Sequence, residues 1–199
     1  MENSTNSLPV TGNEAIAKAI AGLQLRSIGP AFMGGRIADI AVHPSQPTTW
    51  YIAVGSGGLW KTVNAGVTWQ PVFEKQPSYS LGCVTLDPSN PEIVWVGTGE
   101  AVSGRHVAWG DGVYRSRDGG RTWQQMGLPA SEHIGKILVD PRDGNVVYVA
   151  AEGPLWASGG ERGVYKTTDG GASWTAVLTI NDDTGITDIC FDPANPDTV

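Results

Sequence analysis

Three near-copies of one eight-residue pattern constrain this 199-residue chain more than any other feature. They are Thr62-Val63-Asn64-Ala65-Gly66-Val67-Thr68-Trp69, Ser116-Arg117-Asp118-Gly119-Gly120-Arg121-Thr122-Trp123 and Thr167-Thr168-Asp169-Gly170-Gly171-Ala172-Ser173-Trp174. Each follows a Gly-apolar-aromatic-basic run: Gly58-Leu59-Trp60-Lys61, Gly112-Val113-Tyr114-Arg115 and Gly163-Val164-Tyr165-Lys166. The closing tryptophans are 54 and 51 residues apart. A motif that returns at such a period marks one supersecondary unit copied along the chain. Repetition also argues that these residues build a fold, since a catalytic site is not made three times over.

A second landmark recurs in phase. His43-Pro44, Asp87-Pro88, Asp140-Pro141 and Asp192-Pro193 each end a short apolar run, at 37–42, 81–86, 134–139 and 186–191. In the first three units a turn and a second apolar run follow, at 50–54, 93–96 and 146–150. Short apolar runs bounded by Pro, Gly and Asn are strand signals. Each unit therefore reads strand A, turn, strand B, loop, strand C, Gly-containing turn, strand D. The chain is all-β, a partial β-propeller with blades at about 36–73, 80–128 and 133–178 and an incomplete one at 185–199. Closed propellers have about 4–8 blades. Residues 22–199 thus read as the N-terminal part of a longer propeller, with the rest of that propeller as a partner, and 1–21 as a tail or linker. Residues 14–23 have the pattern of a short amphipathic helix, and 23–28 that of an outer strand closing the ring.

The repeated pattern is the Asp-box, Ser/Thr-x-Asp-x-Gly-x-Thr/Ser-Trp, and the chain resembles the Asp-box (BNR-repeat) β-propellers. The text Ile28-Gly29-Pro30-Ala31, Gly34-Gly35-Arg36-Ile37, Ile40-Ala41-Val42-His43-Pro44 and Gly57-Gly58-Leu59-Trp60-Lys61-Thr62 is most similar to sortilin/Vps10-like propellers of bacterial proteins often named glycosyl hydrolases. That likeness implies a ligand-binding propeller that recognises peptide or glycan at its channel face. Two alternatives stand beside it. One is the N-terminal portion of a xyloglucanase- or sialidase-like glycoside hydrolase. The other is an assembly scaffold like the propeller factors of photosystem biogenesis.

In the Asp-box, an ionised Asp118 or Asp169 can accept backbone N–H bonds in a tight turn, each worth about 1.5–3 kcal/mol. Gly66, Gly120 and Gly171 suit a turn position with positive φ. Trp69, Trp123 and Trp174 should lie between stacked sheets. Asn64 replaces Asp in the first copy and carries no charge, so its turn should be the weaker one.

Site candidates come from the other end of the blades. There the loops before strand A and between B and C surround the channel mouth. Registering the A strands on the Pro landmark gives a variable column of Arg36, Ser80, His133 and Gly185. The long B–C loops at 97–111 and 152–162 add Glu100, His106 and Trp109, then Glu152 and Trp156. Arg36, His106, Trp109, His133 and Trp156 are binding candidates. Arg36 could equally pair with a carboxylate, and His133 could be a hydrogen-bonded structural residue. Glu100 and Glu152 are weak catalytic candidates of the right type for glycosidic acid/base work, which needs carboxyls about 5–9.5 Å apart. The xyloglucanase likeness implies a catalytic Asp two places before the Gly-Gly of the first strand C, and Gly55 stands there. The sialidase likeness requires three arginines, of which Arg36 alone is plausibly placed. Neither catalytic set is complete here.

Composition excludes other classes. Thirteen basic against 20 acidic residues give a net charge of −7, which disfavours nucleic acid and anionic membranes. No apolar run approaches the ~20 residues of a membrane span, and the first ten residues lack a secretory-signal pattern. The three histidines show no metal-ligand spacing, no cofactor fingerprint is present, and no metal or cofactor is expected. Cys83 and Cys190 lie too far apart in the repeat to form a disulfide.

Overall fold

A computed structural model describes Ile16, Lys18, Ile20, Ala21 and residues 35–102 and 107–199. The first four are helical. The expected strand at 23–28 and His106 lie outside the described residues.

Twelve strands form three four-stranded antiparallel sheets, each in simple sequential order. The first contains β1 (Ile37–Val42), β2 (Trp50–Val54), β3 (Gly58–Thr62) and β4 (Gln70–Pro71). The second contains β5 (Leu81–Leu86), β6 (Val94–Thr98), β7 (Val113–Ser116) and β8 (Gln124–Gln125). The third contains β9 (Ile134–Asp140), β10 (Asp143–Ala151), β11 (Gly163–Thr167) and β12 (Thr175–Leu178). These are propeller blades, one per repeat. Residues 186–191, expected as a fourth strand A, join no ladder. A strand A is paired by strand B of its own blade, and no such strand pairs with it among the described residues. The segment still follows the third sheet: Ile186 N donates to Ala151 O, and the Phe191 ring meets Tyr148 edge-on at 5.8 Å.

Two apolar layers separate the three sheets, and period-2 alternation builds both. In β6, Val94 and Val96 face the first sheet with Tyr51, Ala53, Leu59 and Phe73. Trp95 faces the third sheet with Val113, Ile137, Val147 and Val149. The middle sheet is therefore buried on both faces. The first keeps an open face, where Ile40 and Val42 are half exposed.

The Asp-boxes fasten each blade internally and to its neighbour. Asp118 Oδ1 accepts Arg121 N, Thr122 N and the Ser116 hydroxyl, and Oδ2 accepts the Thr122 hydroxyl. Asp169 makes the corresponding bonds with Thr167 and Ser173. Asn64 copies the geometry: Oδ1 accepts Thr68 N and the Thr62 hydroxyl, while its Nδ2 donates to the Thr68 hydroxyl instead of accepting from it. The glycine two places after the Asn or Asp of each turn sits at φ 87°, 89° and 91° (Gly66, Gly120, Gly171), where a side chain is strained.

Between blades, the basic residue of one unit reaches the turn of the next. Lys61 Nζ donates to Gly119 O at 2.9 Å, and Arg115 Nη1 donates to Gly170 O. Both cations also lie over a strand-B ring, Tyr51 and Trp95. The box tryptophans point backwards: Trp123 Nε1 donates to Val72 O, and Trp174 Nε1 to Met126 O. Trp69 has Trp50 of its own blade as its ring partner, at 6.4 Å. The free thiol of Cys83 is buried, and that burial pushes it up to about 12, whereas Cys190 is exposed.

Candidate functional site

At the opposite end of the sheets, one backbone bond recurs in every blade and aligns the variable column. Gly55 N donates to Arg36 O at 2.8 Å, Gly99 N to Ser80 O at 2.8 Å, and Glu152 N to His133 O at 2.9 Å. The column residues therefore stand at the start of each strand A, beside the last residue of strand B. The B–C connections leave from the same points, so Glu100, Trp109, Glu152 and Trp156 belong to this end. The Asp-box turns are at the other, where Ala65, Gly119 and Gly170 N donate to the A–B turn carbonyls of Thr48, Glu92 and Asn145.

Arg36 and Glu100 form one unit across the first two blades. Arg36 Nε lies 2.7 Å and Nη2 2.5 Å from Glu100 Oε1. The Arg36 side chain is mostly exposed and that of Glu100 is buried. The room for this carboxylate comes from Gly55, where an added Cβ would stand 2.3 Å from Glu100 Oε1. Glu100, from the next blade, thus takes the space that a side chain at position 55 would need. Glu100 Oε2 is buried without a hydrogen-bond partner among the described residues.

His133 sits between the two glutamates along the chain's own scaffold. Its Nδ1 is 3.0 Å from Glu100 O, and its carbonyl receives Glu152 N. A carbonyl partner requires the proton on Nδ1. Burial lowers its pKa against the pull of the Glu100 carbonyl, so the imidazole is neutral at neutral pH. The turn that delivers it is strained: Leu128 and Glu132, both non-glycine, adopt φ 56° and 59°. A Cβ on Gly99 would collide with Glu132 O, so this glycine is what lets the turn close against β6.

Glu152 is the contrasting carboxyl. It is 7% exposed, and its Oε1 has no partner among the described residues. Burial alone raises its pKa to about 7. It lines a cavity of about 600 Å3 with Pro154, Leu155, Trp156, Asp183 and Thr187. Trp156 is 82% exposed and Trp109 71% exposed. The loop carrying Trp156 is not loose. Arg162 donates to the carbonyls of Glu152, Pro154, Ala157 and Gly159 and ties the connection into a rigid bend.

The structure thus brings Arg36, Glu100, His133 and Glu152 to one end, with Trp109 and Trp156 on the two long connections. Three relations were not readable from sequence spacing: the Gly55–Glu100 fit, the Arg162 carbonyl clamp and the strained residues Leu128 and Glu132. Gly55 lies 45 residues from Glu100 in sequence, and only the pairing of adjacent blades joins them. A glycine ending a strand B was the one available signal. Among the described residues, no group of three or more His, Cys, Asp or Glu is placed to hold a metal, and no helix is long and apolar enough to cross a membrane.

Comparison with known proteins agrees on the repeat and the fold. The BNR/Asp-box repeat family matches residues 114–125. A xyloglucanase of Paenibacillus sp is 26% identical over 170 residues, which cover 69% of this chain and 16% of that protein. An oligoxyloglucan-reducing end-specific xyloglucanase of Emericella nidulans is 27% identical over 157 residues, covering 70% and 17%. Among solved structures, the GH74 enzyme of Niastella koreensis matches with a TM-score of 0.52 and 25% identity over 71% of this chain and 21% of its own. An ancestral GH74 enzyme matches with a TM-score of 0.59 and 22% identity, covering 75% and 19%. YCF48 from Cyanidioschyzon merolae shares the fold, with a TM-score of 0.51 and 20% identity over 76% and 40%. The chain spans about a sixth of the length of the first two xyloglucanases. These similarities favour the glycoside-hydrolase expectation over the sortilin-like one.

Proposed function

We propose that this chain is part of a glycoside-hydrolase-type propeller and that its channel-face end binds a β-glucan-based polysaccharide of the xyloglucan class. The carrying observation is the pairing, at that end, of buried carboxyls with exposed tryptophan rings. Sugar rings stack on aromatic faces, while carboxyls hydrogen-bond the hydroxyls around them. The likeness to xyloglucanases supports the ligand class. The two glutamates differ in their surroundings. Glu100 has the Arg36 countercharge on it, and Glu152 has none among the described residues. In this reading Arg36 and His133 position Glu100, and Trp109 and Trp156 supply the platform.

Affinity electrophoresis in xyloglucan gels, with peptide-library binding as the comparison, tests the reading. We expect retardation by xyloglucan. This chain should release no reducing sugar from xyloglucan, β-glucan or sialosides, because the acid position at Gly55 and the sialidase arginine set are missing. Peptide binding without xyloglucan retardation would return the reading to a sortilin-like receptor. Hydrolysis abolished by Glu100→Gln or Glu152→Gln would promote these residues to a complete catalytic pair.

A further inference from the structure

The cavity beside Glu152 holds an unusual combination: a buried carboxyl with no cation on it among the described residues, next to a tryptophan left in solvent. Each charged neighbour among those residues is already occupied. Arg162 faces the Glu152 main chain and donates to four carbonyls. The His133 ring, on the turn before β9, is directed to Glu100 O. Lys136, on β9 beside Ala150, is 4.0 Å from Asp39. Asp183, across the cavity, accepts the Ser158 hydroxyl at 2.5 Å. Glu100, at the end of β6, carries Arg36. Among the described residues, no positive charge therefore holds Glu152 in its ionised form.

We propose that this cavity is a saccharide subsite in which the Trp156 ring stacks on a sugar and Glu152 gives a hydrogen bond to a sugar oxygen that can only accept, such as a ring or bridging oxygen. The inference rests on the reading that this end of the molecule binds polysaccharide, and it adds which group donates and in which protonation state. The volume of about 600 Å3 lies within the range of small-ligand sites. A carboxylate has no proton to give, so a donor here must be the neutral acid. With its pKa raised to about 7 by burial, Glu152 is that acid below neutrality. A bound sugar excludes water and makes ionisation still less favourable. Binding should therefore weaken as pH rises through about 7. His133 is shifted the other way, since burial lowers its pKa, and its ring is directed to Glu100 O.

Isothermal titration of the full chain with a xyloglucan oligosaccharide, from about pH 5.5 to 8.5, tests the assignment. We expect affinity to fall about tenfold across that range, the effect of one lost hydrogen bond. Glu152→Gln, which keeps an N–H donor and no charge, should bind with the low-pH affinity throughout. Trp156→Ala should lose about tenfold at every pH. Wild-type binding that is flat with pH, or a Glu152→Gln variant that keeps the decline, would overturn this inference and leave the polysaccharide reading standing. Absence of binding at any pH would overturn both.

Discussion

The two ends of the three blades use the same kinds of polar residue to opposite effect. At the Asp-box end, the chemistry repeats and closes on itself. Partial burial pushes the Asp118 carboxyl up, but the hydroxyl and amide of Thr122, the Ser116 hydroxyl and the Arg121 amide outweigh it and hold the group at about 2. Asp169 is held low in the same manner by Ser173 and Thr167. At the channel-face end only the backbone bond between strands A and B repeats, and the side chains do not. Arg36, Ser80 and His133 occupy equivalent places, Glu100 and Glu152 keep buried oxygens without partners among the described residues, and two tryptophan rings stand in solvent. Buried polar groups are normally satisfied, and an exception calls for a reason. A set that satisfies itself contributes to folding, and a set left open is available to a ligand.

The largest test of this contrast is tryptophan truncation. Trp123 packs on Phe73 at 5.1 Å and binds Val72 O across the first inter-blade layer. Trp123→Ala should lower stability by about 3–5 kcal/mol in denaturant melts. Trp69→Ala, which removes no such cross-blade bond among the described residues, should lose less than half of that. Equal losses would mean that the tryptophans act within their own blades only.

The second test uses pH. A carboxyl with a raised folded-state pKa disfavours the fold once it must ionise. Stability linked to Glu152 is intact below the unfolded value near 4.5, declines between there and about 7, and stays lowered above. Glu152→Gln should therefore melt like wild type near pH 4 and be more stable near pH 8, by on the order of 2–3 kcal/mol. Asp118 has the opposite sign. Its depressed pKa stabilises the fold above the unfolded value and is lost as pH falls through about 2. Asp118→Asn should leave stability above pH 5 lower and flatten acid unfolding. A shared sign for the two carboxyls would dissolve the distinction between the ends.

Smaller effects follow at single turns. Gly55→Ala sets a methyl against Glu100 Oε1 and must displace that carboxylate from Arg36, with a loss of about 1–3 kcal/mol. Asp118→Ala should exceed Asn64→Ala by about 1 kcal/mol, since both accept the same amide and only one acceptor is charged. Matched losses would show that charge adds nothing to the turn.

Most of the fold was legible in sequence because its signals are local. Pro44, Pro88 and Pro141 mark strand ends, and the Asp-box places a turn and a tryptophan by spacing alone. The predicted strand at 93–96 lies at 94–98, since Thr98 and Gly97 extend the ladder beyond the apolar run. The segment 186–191 has a strand pattern but no ladder, because pairing depends on a neighbour and not on propensity. Which candidate residues share one end of the blades was legible through the column registered on the Pro landmark. Their pairings were not. Arg36 to Glu100, Gly55 to Glu100 and Arg162 to four carbonyls join residues whose proximity is set by adjacent blades or by a loop's own bend, and no local pattern encodes either.

The separation of folding from ligand binding is tested most directly by melting the Trp156→Ala variant with and without a xyloglucan oligosaccharide. A ligand that binds the folded state raises the midpoint in proportion to its occupancy. The account predicts a wild-type midpoint that rises with ligand, and a variant with the wild-type midpoint when free and little or no rise when ligand is added. A free variant that melts as low as Trp123→Ala, or one that keeps the full ligand-induced rise, would contradict it.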